Sequence, residues 1–222
     1  MIAEIHYGNE IKEICKRSEV QLMKRIKEVG IDTALTEATP YQSMWDKFLN
    51  KITDPVEIKN ENFSGFPFMQ ARINNISFIN CDFAESRWVF FFINNTDCSN
   101  SNFSNIRTLV SPFNNVNCSN CNFENAELTF FDLFKENIFL NADFTNAKIE
   151  SSHSFFEKED LDTRGNFENA IMEGCSLTVK KEKNCRLPKR KIKSRLRLVF
   201  SSSQLKSIDL RFEGFSLFSV GE

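Results

Sequence analysis

The sequence predicts an all-β solenoid, a chain that winds into short stacked coils, with a small helical segment before it. Three observations predict this class. Apolar residues recur at every fifth position from Phe63 onward, small or apolar residues stand two positions before them, and Asn recurs at intervals of 20 residues. A period of five fits neither an α-helix nor a flat strand. Internal repeats of this kind are typical of solenoids, in which each repeat contacts only its neighbours.

The five-residue repeat is nearly unbroken from Phe63 to Leu133. The residues at its central position are apolar with the exception of Thr108: Phe63, Phe68, Ile73, Phe78, Phe83, Trp88, Ile93, Cys98, Phe103, Thr108, Phe113, Cys118, Phe123, Leu128 and Leu133. One additional residue shifts the frame, which resumes at Phe139, Phe144 and Ile149 and, after a break, at Phe167, Met172 and Leu177. We expect each central residue and the small residue two before it to point inward.

The Asn positions indicate that four repeats make one coil, because residues 20 apart then stack. Each coil has four sides, which we number from Phe63 (side 1), Phe68 (side 2), Ile73 (side 3) and Phe78 (side 4). Asn follows the central residue by two positions on three of these sides, as in Asn75, Asn95 and Asn115 on side 3. Asn tolerates turn conformations and can form ladders of side-chain hydrogen bonds. Side 2 differs, since its equivalent residues are Gln70, Phe90, Val110 and Phe130.

The repeat resembles that of the pentapeptide-repeat family, in which a central Leu or Phe and a small residue two before it point inward. The segments CDF (81–83), CNF (121–123) and ADF (142–144) match the A(D/N)L core of that family. The resemblance covers about half of the chain, from Asn62 to Leu177. It implies a right-handed, four-sided β-helix of about five coils, or roughly 25 Å of stack at strand spacing.

The two cysteines of CSNCNF (118–123) raise the alternatives of a zinc site, a redox centre or core packing. In the five-residue frame Cys118 is a central residue and Cys121 is the small inward residue of the next repeat. A structural zinc site needs four convergent ligands, and a second CxxC is missing. We therefore expect core packing, with no metal and no cofactor. Seven cysteines at irregular spacing also argue against a disulfide framework.

Residues 1–57 are expected to form a helical cap. Apolar residues keep helical spacing from Ile11 to Val29, with Asn9 as the expected N-cap and Gly30 as the stop. A second helix is expected to begin at Thr39-Pro40, with an apolar face from Tyr41 to Ile52, and to end at Asp54-Pro55. A solenoid exposes its core at both ends and needs such caps. The alternative is a pair of helices that binds a partner or dimerises.

We assign residues 58–178 to the β-helix, with a loop insertion at 150–164, and 179–222 to a basic segment and tail. Residues 180–197 contain ten Lys or Arg and one Glu. Such a run is a candidate site for nucleic acid or acidic lipid, and PKRKIK resembles a nuclear-localisation signal. Its candidate residues are Lys189, Arg190, Lys191, Lys193, Arg195 and Arg197. The alternative is a solvated strand that caps the last coil, and Leu210 continues a five-residue step in the tail.

Two further features are candidates for binding another protein. The first is an apolar stripe on and beside side 2, flanked by Arg87 and Arg107 and formed by Met69, Val89, Phe90, Phe92, Leu109, Val110 and Phe130. Exposed stripes of this kind usually mark interfaces, although the N-terminal helices or the tail are alternative covers. The second is the loop insertion, which carries Phe155 and Phe156, since loops on a scaffold often carry recognition.

The sequence predicts a binding protein that is not an enzyme. It has no glycine-rich phosphate loop, and neither of its two histidines adjoins a nucleophile motif. The family resemblance implies a bacterial protein, and one hypothesis is that it is an effector that binds a host protein. The alternatives are a DNA-mimicking topoisomerase (gyrase) binder of the quinolone-resistance type and a nucleic-acid binder that uses residues 180–197.

The expected location is the cytoplasm, or a host cell after secretion without a classical signal peptide, with the host nucleus as a further alternative. The first residues lack the basic-then-apolar form of a secretory signal, and no apolar run reaches the length of a membrane span. The sequence does not determine the oligomeric state.

Overall fold

Parallel β-pairing between residues about 20 apart organises this chain. The computed structural model describes residues 2–30, 40–109, 113–131, 137–152, 167–180 and 202–213. The helices are α1 (Ile2–Val29), α2 (Pro40–Leu49) and α3 (Ser202–Ser207). The strands are β1 (Val56–Lys59), β2 (Pro67–Asn74), β3 (Ile76–Ile79), β4 (Arg87–Asp97), β5 (Arg107–Leu109), β6 (Phe113–Asn117), β7 (Glu127–Phe131), β8 (Lys148–Ser152), β9 (Ser176–Lys180) and β10 (Asp209–Glu213).

The strand register confirms the predicted β-solenoid. Phe68 pairs with Trp88, and Ile93 with Phe113, each 20 positions later in the chain. The frame shift is also present, because Leu128 pairs with Ile149. The sheet on side 2 has the order β10-β9-β8-β7-β5-β4-β2. The chain makes about four turns, and side 2 extends further at its C-terminal end through β9 and β10.

The interior is a column of stacked phenylalanine rings. On side 1 the rings of Phe83 and Phe103 are 5.1 Å apart and nearly parallel, as are those of Phe103 and Phe123 at 5.0 Å. The spacing equals the distance between strands in a sheet, so one ring fits each coil. All described central residues are buried, including Thr108. The cysteines on inward positions, Cys81, Cys98, Cys118, Cys121 and Cys175, are free and buried, so they fill the core as small apolar groups.

Left-handed backbone turns connect the sides, and Asn occupies most of them. Asn60, Asn80, Asn100, Asn120 and Asn141 form one such column on side 4, with φ between 55° and 60°. Asn adopts this conformation more readily than most residues. Its side chains also bond along the column, since Asn80 Nδ2 donates to Asn60 Oδ1 at 2.6 Å and Asn120 Nδ2 to Asn100 Oδ1 at 3.1 Å. The predicted Asn ladders therefore exist and connect successive coils.

Helices α1 and α2 cap the N-terminal end of the core. Trp45 of α2 is fully buried and lies 5.3 Å from Phe91, ring to ring, while Ile11 and Cys15 of α1 join the same cluster. Helix α1 begins at Ile2 and not after the predicted cap Asn9. It continues through Gly8, where an added Cβ would lie 2.8 Å from Cδ of Glu61. Glu61 of the first coil therefore lies close to α1 at a residue that has no side chain.

The ends of the two helices agree with the prediction only in part. Gly30 ends α1 as predicted, with φ of 84° and a bond from its N–H to Ile26 O at 2.9 Å. Helix α2 ends at Leu49 and not at the predicted Asp54-Pro55. The first coil begins soon afterwards, at Val56, which pairs with Ile76. Among the described residues, no helix is long and apolar enough to cross a membrane.

Helix α3 and strand β10 lie at the C-terminal end of the coils. Leu210 pairs with Leu177, so the tail adds one more strand to side 2. Gln204 of α3 is buried and its Nε2 donates to Phe167 O at 2.8 Å and to Ala170 O at 2.9 Å. Within the part of the chain that the structure describes, no further coil lies above these carbonyl groups to supply donors. The described part of the tail therefore caps the last coil on this side.

Candidate functional site

Side 2 carries the apolar stripe predicted from the sequence. Met69, Val89 and Leu109 occupy the same outward position in successive strands, because Met69 pairs with Val89 and Val89 with Leu109. Arg87 and Arg107 pair in the same way two positions earlier. Each of these two coils thus presents a cation followed two residues later by an aliphatic side chain. The five-residue repeat sets this arrangement, since alternate residues of a strand face the same way.

Helix α1 covers the first level of this stripe. Leu22 of α1 and Met69 form one buried cluster, 5% and 7% exposed, and Ile26, Val29, Met44 and Val89 pack against it. Met69 was a candidate of the exposed stripe, with cover by the N-terminal helices as the alternative, and the alternative holds at this residue because the second half of α1 extends along side 2. The second apolar set of α1, at Leu22, Ile26 and Val29, is the sequence signal that could have indicated it.

An ion pair connects α1 to side 2. Glu19 Oε1 accepts a hydrogen bond from Arg87 Nη2 at 2.9 Å, three residues before the buried Leu22. Both side chains are more than a third exposed, so the pair contributes little stability. Arg107, one coil on, contacts Glu127 at 3.5 Å, and Lys148 contacts the same carboxylate at 3.3 Å.

The stripe emerges from beneath α1 at the third coil. Leu109 is 46% exposed, whereas Val89, its neighbour toward α1, is half-buried. On α1 itself, Val20 and Met23 are 70% and 52% exposed. Met23 follows Glu19 by four residues, so the two lie on the same face of α1. Aliphatic side chains are therefore exposed both on α1 and on the third coil.

Phe90 occupies a backbone conformation that disfavours it. Its φ is 51°, at a turn position that Asn holds in most coils on the other sides of the β-helix, with Gly65 and Glu85 among the exceptions. The left-handed conformation costs a bulky residue about 1–2 kcal/mol of folding free energy, because such a residue lacks the backbone freedom of glycine. Phe90 is half-buried, as is Phe92, whose ring lies 4.8 Å from the guanidinium of Arg72. Strain of this kind often persists at functional positions.

The remaining candidates lie outside the part of the chain that the structure describes. These are Val110, the side chain of Phe130, the loop residues Phe155 and Phe156, and the basic residues Lys189, Arg190, Lys191, Lys193, Arg195 and Arg197. Strand β8 extends to Ser152, so the predicted insertion at 150–164 begins at least three residues later than expected. These candidates stay predictions.

A cleft of about 540 Å³ separates α1 from α2. Its floor is apolar, with Ile14, Met44 and Phe48, and its rim carries charges of both signs, including Glu13 and Arg17. The described residues contain no group of three or more His, Cys, Asp or Glu arranged to hold a metal.

The buried cysteines are poor nucleophiles. Burial raises the pKa of Cys81 to about 11 and that of Cys175 to about 12. It also raises the pKa of Cys98 and Cys118 well above the ordinary value. Since the thiolate is the reactive form, these thiols stay protonated and inert near neutral pH.

Comparison with family models and with curated proteins gives no match. Among solved structures the chain is similar to QnrB1, a plasmid-mediated fluoroquinolone resistance protein, at 11% identity and a TM-score of 0.38 over 72% of this chain and 92% of that one. It is similar to Rfr23, a pentapeptide-repeat protein from the cyanobacterium Cyanothece, at 16% identity and a TM-score of 0.21 over 59% and 84%.

These similarities are too low to carry functional information. The fold follows from the chain's own coordinates: parallel pairing at 20 residues, inward residues every five, and left-handed turns between sides. This chain adopts the four-sided β-helix fold of the pentapeptide-repeat proteins.

Proposed function

We propose that this chain is a non-enzymatic binding protein that presents side 2 of its β-helix to another protein. The observation that carries the proposal is the apolar stripe, which α1 covers at Met69 but leaves 46% exposed at Leu109. Leu109 adjoins the half-buried Val89 in the strand register, and exposed apolar surface that extends over neighbouring residues often marks an interface.

The conformation of Phe90 supports the same surface. Asn fills most of the equivalent turns on the other sides at lower backbone cost, whereas Phe90 is the only aromatic residue among the described turns of this kind. Phe and other aromatic residues are enriched at the centres of protein interfaces. Phe90 therefore contributes contact area to the partner at the expense of the stability of the free chain.

The construction of the β-helix suits a preformed binding face. Backbone bonds join each coil to the next, and ladders such as Asn115 to Asn95 at 2.8 Å add side-chain bonds. A surface held in this way loses little conformational freedom when a partner binds.

The identity of the partner is a finer part of the proposal. A host protein is the partner expected of a secreted effector, and a topoisomerase is the partner expected of a DNA mimic. DNA mimicry needs closely spaced outward carboxylates. The outward column before the central residues of side 1 instead reads Asn62, Asp82, Asn102, Asn122 and Asp143, mostly amides. We therefore favour recognition through apolar contacts, in the bacterial cytoplasm or in a host cell.

A pull-down with matched variants tests the proposal. Leu109→Glu places a charge on the stripe, and Ile171→Glu makes the same change at an isoleucine that is 50% exposed on side 1. Bacterial and human cell lysates are passed over the wild type and both variants. We expect a protein that the wild type and Ile171→Glu retain and Leu109→Glu loses. Equal recovery on all three baits would reject side 2 as the binding surface.

A basic segment that binds nucleic acid would behave differently. Such binding would be independent of Leu109 and would weaken steeply as salt increases. Measurement of nucleic-acid affinity at two salt concentrations for the wild type and Leu109→Glu separates this alternative from a protein-binding stripe.

A further inference from the structure

We propose that the outward face of α1 binds the surface of a membrane that contains anionic lipid. This face is formed by the side chains of α1 that point away from the β-helix. It combines a cluster of cations with two exposed aliphatic side chains, which complement the anionic headgroups and the apolar boundary of a bilayer. The inference goes beyond the proposed function, because it concerns a different surface and a partner that is not a protein.

The outward face follows from the way in which α1 packs. Cys15 and Leu22 are buried against the core and side 2, so the opposite surface of the helix is turned to solvent. Residues that follow one another by three or four positions lie on one face of a helix. This surface, the basic face, consists of Lys16, Arg17, Val20, Met23, Lys24 and Lys27, all of them exposed. It is about 17 Å long, given the rise per residue of an α-helix.

Two aliphatic side chains lie in the centre of the basic face. Val20 is 70% exposed and Met23 is 52% exposed, and they lie one turn apart. Single exposed aliphatic residues are ordinary on protein surfaces, but these two adjoin each other and have cations on both sides along the helix. The long side chains of Lys and Arg can reach lipid phosphates while the shorter aliphatic groups enter the layer below them.

The charges of the basic face leave an excess of cations. The three glutamates that border it each contact a cation within the chain: Glu13 with Lys16 at 3.1 Å, Glu19 with Arg87 at 2.9 Å and Glu28 with Arg25 at 3.1 Å. In the part of the chain that the structure describes, no carboxylate pairs with Arg17, Lys24 or Lys27. The whole chain has a net charge of −2, so an anionic surface would attract it mainly at local clusters of cations such as this one.

A bilayer complements this surface better than nucleic acid does. Phosphates of either kind would satisfy the cations, but the phosphates and sugars of a nucleic-acid backbone offer Val20 and Met23 no apolar environment. In a bilayer the apolar boundary lies directly below the phosphates, where an interfacial helix places its aliphatic groups. Charge and apolar surface together therefore favour lipid.

Cosedimentation of the full chain with lipid vesicles tests the proposal. The vesicles consist of phosphatidylcholine alone or of phosphatidylcholine with about one third phosphatidylserine. We expect binding to the anionic vesicles and none to the neutral ones. Added salt should weaken the binding, because it screens exposed charges.

Substitution of two lysines tests the electrostatic part. Lys24→Gln with Lys27→Gln should weaken binding about 25-fold, because each cation near an anionic bilayer contributes about fivefold. Lys24→Glu with Lys27→Glu should weaken it further. The control is Lys59→Glu with Lys148→Glu, which makes the same change in net charge at exposed lysines of β1 and β8 and should weaken binding much less.

Substitution of the aliphatic pair tests the apolar part. Val20→Asn with Met23→Gln keeps every cation and should weaken binding about fivefold. Insertion is observed directly with Val20→Trp and brominated lipid, which quenches tryptophan within the bilayer. Trp45 and Trp88 are buried, so the wild-type chain should show little quenching and Val20→Trp should show much more.

Three results would overturn the inference. Vesicle binding that both Lys24 and Lys27 pairs of substitutions leave intact would assign membrane contact to another segment, such as residues 180–197. Unchanged binding in Val20→Asn with Met23→Gln, together with an unquenched tryptophan at position 20, would mean that only unspecific charge attraction acts. Binding of a DNA duplex but not of vesicles, lost in Lys24→Glu with Lys27→Glu, would assign the face to nucleic acid.

Thermal melts separate loss of binding from loss of folding. Every substituted side chain is exposed, so each variant should keep a Tm close to that of the wild type. The Gln pair keeps the test valid if the Glu pair disturbs the last turn of α1, because neutral side chains add no repulsion at the end of the helix.

Discussion

Removal of the ring of Phe103 tests the stacked core most sharply. Phe103 is fully buried between Phe83 and Phe123, with ring centroids 5.1 and 5.0 Å away. Phe103→Ala removes about 2–3 kcal/mol of hydrophobic stabilisation. It also leaves a cavity that the neighbouring rings cannot close, because the strand spacing fixes their positions. We expect a total loss of about 4 kcal/mol in the free energy of unfolding, near the middle of the range for buried Phe→Ala changes.

The assay is urea unfolding followed by tryptophan fluorescence, since Trp88 lies 5.8 Å from Phe103, ring to ring. A loss of this size corresponds to a decrease in Tm of about 8–16 °C for a chain of this length. Leu109→Ala is the matched control and should cost less than about 1 kcal/mol, because half of that side chain is already exposed. Similar losses for both variants would refute the assigned register.

Three further predictions concern the left-handed turns at Asn120 and Phe90 and the buried thiols of Cys81 and Cys175. Asn120→Ala should lower the free energy of unfolding by about 1–2 kcal/mol. Asn120→Gly should lower it less, because Gly restores the left-handed turn (φ 59°) but not the bonds to Asn100 and Asn141. Equal losses in thermal melts would exclude backbone strain as the cause. Phe90→Asn should keep or raise Tm while it weakens partner capture, and a large decrease in Tm would show that Phe90 serves the core. The raised pKa values of Cys81 and Cys175 predict that stability falls from about pH 8.5 toward 11, because the unfolded thiols release protons there and the buried ones do not. Unfolding titrations in urea at pH 7.5 and 10 measure this, and stability that is unchanged or higher at pH 10 would contradict it.

The β-helix was predictable because its physics is local and repeated. Each five-residue unit places one large and one small residue inside, and a one-residue slip would expose them. The frame that gave Phe63 and Phe103 inward positions also assigned Cys118 and Cys121 to the core, where the structure places them. The Asn columns gave the coil length because the left-handed turns between sides select this residue type.

The position of α1 was not predictable by the same reasoning. The helical spacing of its apolar residues identifies a face, but not whether that face covers the end of the solenoid or its side. In the structure it does both, since Ile11 and Cys15 join the core and Leu22 packs on Met69. Leu22 and Met69 are distant in the chain, as are Cys15 and most of the core residues that it joins. Tertiary contacts of this kind have no local signature.

The candidate surface was therefore predicted in part. The register of Val89 and Leu109 and the outward position of Phe90 could be read from the repeat. The burial of Met69 was open, because cover of the stripe by the N-terminal helices was one of two alternatives and only the structure gives the position of α1. Leu109 gained importance only from the structure, which shows the stripe emerging at this residue.

A site-specific cross-link tests the central claim most directly. A photoreactive phenylalanine analogue replaces Leu109 in one variant and Ile171 in another, two sites of similar exposure on different sides of the β-helix. After illumination in a lysate that contains the partner, the account predicts a discrete cross-linked protein from position 109 and none from position 171. The same adducts from both positions, or an adduct from position 171 alone, would contradict the assignment of side 2 as the binding surface.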